Sequence, residues 1–192
     1  QIMDQMTEYE PEFDQMLFYL PLSGSTFKKV YYDDLLQRAV SKFVQADDLI
    51  VPYSANSLED AEAIVHVIRM SENEVRKQQV SGFYKDMEIG EPPVTENQVK
   101  EKELELEGIT KDGNQDQFSL LEMHVDLDLE GFEDMKPDGE TTGIKLPYIV
   151  TILEANNKIL SIRRNYAEGD NMMKKIKYFV QYKFLPGTGF YG

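Results

Sequence analysis

The chain has 192 residues, 41% of them hydrophobic, no cysteine, and a formal net charge of −15. That length suits one domain, or one domain with an insertion, and the apolar fraction excludes wholesale disorder. The lack of cysteine excludes a disulfide scaffold, a thiolate zinc site and a cysteine nucleophile, and no apolar run approaches the roughly 20 residues that cross a bilayer as a helix.

From Tyr9 to about Leu20 the spacing predicts a helix, with Phe13, Met16, Leu17 and Leu20 on one face. Pro21 and Gly24 mark its expected end. Phe27 to Tyr32 reads as a strand, Asp33 to Gln37 as a turn region and Ala39 to Val44 as the returning strand. Asp47 and Asp48 punctuate before a short strand over Leu49 to Tyr53, and Leu58 to Glu62 reads as a helical turn. Ala63 to Met70 reads as another strand. Ser71 and Glu74 have capping-box spacing, in which the serine oxygen accepts from the backbone three residues on and the glutamate reaches back. A helix should follow to about Val80 and stop at Gly82.

Pro92-Pro93 reads as a linker, Thr95 to Glu107 as a largely solvated helix, and Gly108 to Gln117 as a polar connection. Phe118 to Leu129 alternates: Met123, Val125, Leu127 and Leu129 are expected on the core face, and His124, Asp126, Asp128 and Glu130 on the other. Gly131 to Gly143 is an acidic loop. Tyr148 to Leu153 and Lys158 to Arg164 form a hairpin, turned by Glu154-Ala155-Asn156-Asn157, where asparagine tolerates positive φ. Lys174 to Phe184 is the last strand. It runs into an elbow at Pro186, Gly187 and Gly189, with Phe190 and Tyr191 beyond as exposed, unfinished packing. That ending, with Gln1 at the start, reads as an internal piece of a longer protein.

The expected fold class is α+β, with antiparallel β-hairpins and a mixed sheet beside a few short helices. Three regions are expected: 1–85, an N-terminal helix with a hairpin and a strand-helix part; 86–145, an acidic insertion with a helix and the alternating strand; and 146–192, a hairpin and final strand. Their charges differ sharply. Residues 1–85 carry 14 acids and 8 bases, residues 86–140 carry 18 and 4, and residues 141–192 carry 3 and 8, giving −6, −14 and +5. Phosphate affinity comes from Lys and Arg neutralising the nucleic-acid backbone, so a chain this acidic does not read DNA sequence.

His124, Asp126, Asp128 and Glu130 are the sharpest candidate cluster, four ligand-type side chains on one strand face, of which the three carboxylates suit hard divalent cations. Asp126-x-Asp128-x-Glu130-Gly131 opens like a calcium-binding loop, but the twelfth position is Pro137 where a bidentate glutamate is needed. Side chains two apart on a flat strand stand roughly 7 Å apart, too far for all of them to meet one ion. A solvated strand face with the core behind it is the better account of them, so no metal and no cofactor is expected. A metal-dependent hydrolase using these three residues stays as one alternative, and an acidic protein-interaction module as another. His66 and His124 stand on separate strands, and Ser23-Gly24-Ser25 lacks the nucleophile-elbow pattern, so no catalytic residue is expected. Gly187-x-Gly189 lacks the third glycine of a dinucleotide site. Arg163, Arg164, Lys174, Lys175 and Lys177 form the one basic group. They are interaction candidates for phosphate or a subunit contact, or they pair with the acidic stretch.

Seven strings, taken in order, carry a resemblance. They are MLFYLPLSGSTFKKVYYD (Met16 to Asp33), FVQADDLIVPY (Phe43 to Tyr53), NEVRKQQVSGFY (Asn73 to Tyr84) and EMHVDLDLEGFED (Glu122 to Asp134), followed by LPYIVTI (Leu146 to Ile152), KILSIRRN (Lys158 to Asn165) and YFVQYKFLPGTGFYG (Tyr178 to Gly192). Together they resemble the portal protein of podovirus-type tailed bacteriophages, in the wing region that precedes the stem. The strings are structural, and the specificity lies in their number and order. The resemblance implies a non-enzymatic subunit of a ring of about twelve copies at one capsid vertex. Double-stranded DNA would pass through that ring during packaging and ejection, without sequence-specific binding. It implies terminase, tail or head-completion proteins and capsid protein as partners, no membrane, and a place in the virion after assembly in the bacterial host cytoplasm. The family's tunnel-lining and clip residues have no counterpart in this sequence.

Overall fold

A computed structural model describes residues 6–33, 36–91, 117–185 and 190. Among them the fold is α+β, with two helices and two antiparallel sheets. In chain order the elements are α1 (Tyr9–Ser23), β1 (Ser25–Asp33), β2 (Arg38–Val44), β3 (Leu49–Ile50), β4 (Ala63–Ser71), α2 (Glu72–Val80), β5 (Gln117–Leu127), β6 (Leu146–Leu153), β7 (Lys158–Arg164) and β8 (Phe179–Lys183). One sheet has the order β2-β1-β8 and the other β3-β4-β5-β6-β7. The expected helix over Thr95 to Glu107 and the elbow residues Pro186, Gly187, Gly189 and Tyr191 lie outside the described residues.

Local chemistry accounts for several boundaries. The Ser71 side chain accepts from the Glu74 amide while the Glu74 carboxylate accepts from the Ser71 amide at 2.8 Å, so the capping box forms as its spacing predicts. Gly82 beyond the helix has φ 78°, a left-handed conformation that suits glycine. The β6–β7 turn places Asn157 at φ 55°, the positive φ expected of it. α1 continues through Pro21, which lies in its last turn. The helix ends at Gly24, which has the left-handed φ of 73° of a helix C-cap. The short strand reaches only Ile50, since Pro52 has no amide to donate and its carbonyl takes the Ala55 amide in a turn. The last strand begins at Phe179. Before it, the Asp170 carboxylate accepts from the Met172 and Lys174 amides at 3.0 Å each and bends the chain away from extended pairing.

Two packing expectations are overturned. On α1 only Met16 of the four predicted core residues is buried, and Leu17 is 47% exposed. The helix instead turns Glu8, Glu12 and Tyr19 toward β2: the two carboxylates bind β2 groups and Tyr19 stacks on Phe43 at 5.7 Å. On β5 the face is inverted. Phe118, Leu120, Glu122 and His124 are buried, while Met123, Val125 and Leu127 are half-buried. Both faces of β5 are partly covered, so alternation no longer marks which side is the interior.

The chain divides into two compact units, Gln1–His66 with Met123–Tyr148 and Arg164–Gly192, and Val67–Glu122 with Ile149–Arg163. In the first, Phe27, Val44, Leu49, Ile64, Phe179 and Phe190 belong to one buried cluster. Phe190, expected to be exposed, is buried and stacks on Phe27 at 5.9 Å, with its carbonyl accepting from Gln181 Nε2 at 2.6 Å. In the second, Val75, Tyr84, Phe118, Leu120, Leu153 and Leu160 belong to another. Gln79 is tied into that unit by donating to the carbonyls of Lys85 and Met87 at 3.1 and 2.8 Å.

Candidate functional site

β5 ends at Leu127, so Asp126 is the last candidate ligand on the strand, and Asp128 and Glu130 follow in the turn beyond it. Asp126 is 48% exposed at its side chain and pairs with Lys175 at 3.7 Å. Among the described residues no group of three or more His, Cys, Asp or Glu side chains is gathered closely enough to hold a metal ion. The acidic loop that follows is occupied with its own turns: Asp134 accepts from Thr142 Oγ1 at 2.8 Å, and Lys136 pairs with Glu140 at 3.2 Å.

His124, expected beside Asp126 on a solvated face, is 2% exposed. Its ring meets Tyr178 and Phe179 edge-on at 5.4 and 5.1 Å, and His66 approaches the same Phe179 ring at 5.5 Å. Sequence reasoning placed the two histidines on separate strands, and the structure brings both against one phenylalanine. Ser23 Oγ lies 2.9 and 2.7 Å from the carbonyls of Tyr19 and Ser25, to either of which its one proton can go, and Ser25 Oγ donates to the carbonyl of Tyr182. Both hydroxyls serve the backbone at the helix-to-strand junction.

The basic group is dispersed. The Arg163 guanidinium lies over the Phe83 ring at 4.2 Å, a cation–π distance. Nearby, burial pushes the Tyr84 hydroxyl well above its ordinary pKa, the Glu122 carboxylate adds to that, and Arg163 partly offsets it. Arg164 lies 5.9 Å from the Tyr166 ring centroid, and its charge works against a rise in the pKa of the Tyr148 hydroxyl. That hydroxyl donates to the Phe132 carbonyl, and burial leads in raising its pKa. Lys177 forms an ion pair with Glu59, and Lys175 takes Asp126. Lys175 thus joins the C-terminal basic group to the acidic stretch, one of the roles the sequence left open for it.

The setting of Lys28 was missed in reading the sequence. This lysine is 3% exposed, and its ammonium stands over the rings of Tyr9 at 4.2 Å and Phe13 at 5.0 Å. Burial lowers its pKa, and the neighbouring Glu12 carboxylate works against that. The available signal was the pair Lys28-Lys29: adjacent strand residues point to opposite faces, so a covered sheet must bury part of one of them.

An open groove of about 590 Å³ lies between the end of α1 and β3, lined by Tyr19, Leu22, Leu49 and Ile50 with Asp47 as its one carboxylate. Its lining is mainly apolar and supplies no acid–base pair. No helix among the described residues is long and apolar enough to cross a membrane. No protein-family model matches the chain, and none of the curated proteins compared with it does.

Proposed function

We propose that the chain is a structural part of a phage portal ring, the wing of a subunit through whose assembly double-stranded DNA is packaged and ejected. The observation that carries this reading is the ordered set of seven strings from Met16 to Gly192. The site chemistry is compatible with it. Arg163 and Arg164 lie beside aromatic rings, and Asp126 and Lys177 are held in the pairs Asp126–Lys175 and Glu59–Lys177, the pattern of a scaffold. The strong acidity also suits a body past which DNA moves, since like charge keeps a duplex from adhering. In this reading the protein acts in the virion, is not an enzyme, and docks terminase, tail or head-completion proteins and capsid protein. Electron microscopy of the full-length protein tests it: rings of about a dozen copies are the expected outcome, and monomers or dimers alone under assembly conditions overturn it.

A further inference from the structure

Among the described residues β2 is an edge strand, with β1 on one side and no strand on the other in the order β2-β1-β8. An edge presents unpaired backbone groups that invite another strand, and folded proteins cover such edges. Here the cover is α1. The Glu12 carboxylate accepts from the Phe43 amide at 2.6 Å, and the Glu8 carboxylate accepts from the Ser41 amide at 3.4 Å. These amides are two residues apart, on the same side of the strand, where the carbonyls of a neighbouring strand would stand. Glu8 is held in turn by Arg38 at 2.7 and 2.8 Å. Glu12 also faces Lys28, which is clasped by Tyr9 and Phe13. The charged groups that meet the two carboxylates are therefore Arg38 from β2 and Lys28 from β1. The helix connects to the sheet through Gly24 alone, at φ 73°.

We propose that α1 is a hinged clasp whose Glu8 and Glu12 carboxylates close a strand-pairing edge on β2. With the clasp open, the Ser41 and Phe43 amides face outward and the edge accepts an extended backbone. Lys28 and Arg38, relieved of their carboxylates, favour an incoming segment that carries Asp or Glu. Acid is one way to open it. Burial raises the Glu8 pKa, but the backbone bonds it accepts and Arg38 outweigh that, and the carboxyl sits below its ordinary 4.5. A depressed carboxyl stabilises the closed form above its ordinary value, and that stabilisation is lost as pH falls through the folded value.

Amide hydrogen exchange on the full chain tests the clasp. The amides of Ser41 and Phe43 are followed in wild type, Glu8→Ala and Glu12→Ala, with the Val30 amide, which donates to the Tyr178 carbonyl at 2.8 Å, as the reference within the same sheet. The expected result is a loss of protection of about tenfold or more at Phe43 in Glu12→Ala and at Ser41 in Glu8→Ala, with Val30 unchanged, as a local opening requires. Should a variant fail to fold, a wild-type titration from pH 7 to pH 3 follows the same three amides, corrected for intrinsic exchange, and Ser41 and Phe43 should lose protection before Val30. Unchanged protection of Ser41 and Phe43 in the variants relative to wild type, or simultaneous loss at all three amides in acid, overturns the proposal. The first would mean that the carboxylates do not cover the edge, and the second that α1 is inseparable from the sheet.

Discussion

Among the described residues the two hydrophobic clusters hold similar numbers of buried residues, eight around Phe27 and seven around Phe118, but they are assembled over different stretches of chain. The cluster around Phe27 joins β1 to Phe179 and Phe190, and Ser25 Oγ reaches a carbonyl 157 residues away at Tyr182. The cluster around Phe118 uses residues from Val75 to Leu160: near neighbours shape its parts through a capping box, Gln79 bonding backbone six and eight residues on, and one hairpin, and mid-range bonds such as the Lys85 amide to the Leu160 carbonyl at 2.7 Å join them. Long-range closure costs chain entropy before any contact repays it, whereas capped turns and hairpins gain contacts at once. The comparison teaches that burial of similar extent can rest on one very long closure, from β1 to Phe179 and Phe190, in one unit and on locally capped pieces joined over mid-range in the other.

The largest test of this contrast is Phe27→Ala. Phe27 has no exposed surface and stacks on Phe190, so its truncation should cost about 3–5 kcal/mol in denaturant unfolding. Exchange should then rise in β1 and β8 while the α2 amides keep their protection. Equal loss in α2 would show that the clusters unfold together and would break the comparison. Leu120→Ala, equally buried in the other cluster, should cost about 2–5 kcal/mol, with exchange rising first in α2 and the β6–β7 hairpin.

Smaller changes sharpen the local side of the contrast. Gln79→Ala removes the side-chain donor shared by the Lys85 and Met87 carbonyls and should cost about 1–3 kcal/mol, read as a lower denaturation midpoint with an unchanged slope. Ser71→Ala removes the helix cap and should cost about 1 kcal/mol, with fraying confined to the first turn of α2 by amide exchange.

What the chain reveals on its own follows the same division. The limits of α2, β7 and the β6–β7 turn were legible because capping, glycine C-termini and positive-φ asparagine are chemistry among residues three or four apart. The charge contrast between acidic and basic stretches was legible too, but not which charges meet: Asp126 finds Lys175, and Glu59 finds Lys177 across 118 residues. The candidate site was the least legible part. His124 and Glu122 look like solvated strand residues because their neighbours Met123 and Val125 are apolar, yet they are buried. On a strand covered from both sides, both alternating sets meet neighbours, and the elements packed on each face decide which set is interior. The burial of Lys28 and the turning of α1 toward β2 have the same origin. The amphipathic pattern determined that Tyr9 to Leu20 is helical. The unpaired amides of an edge strand, supplied by residues about thirty positions away, decided which of its faces lies inward.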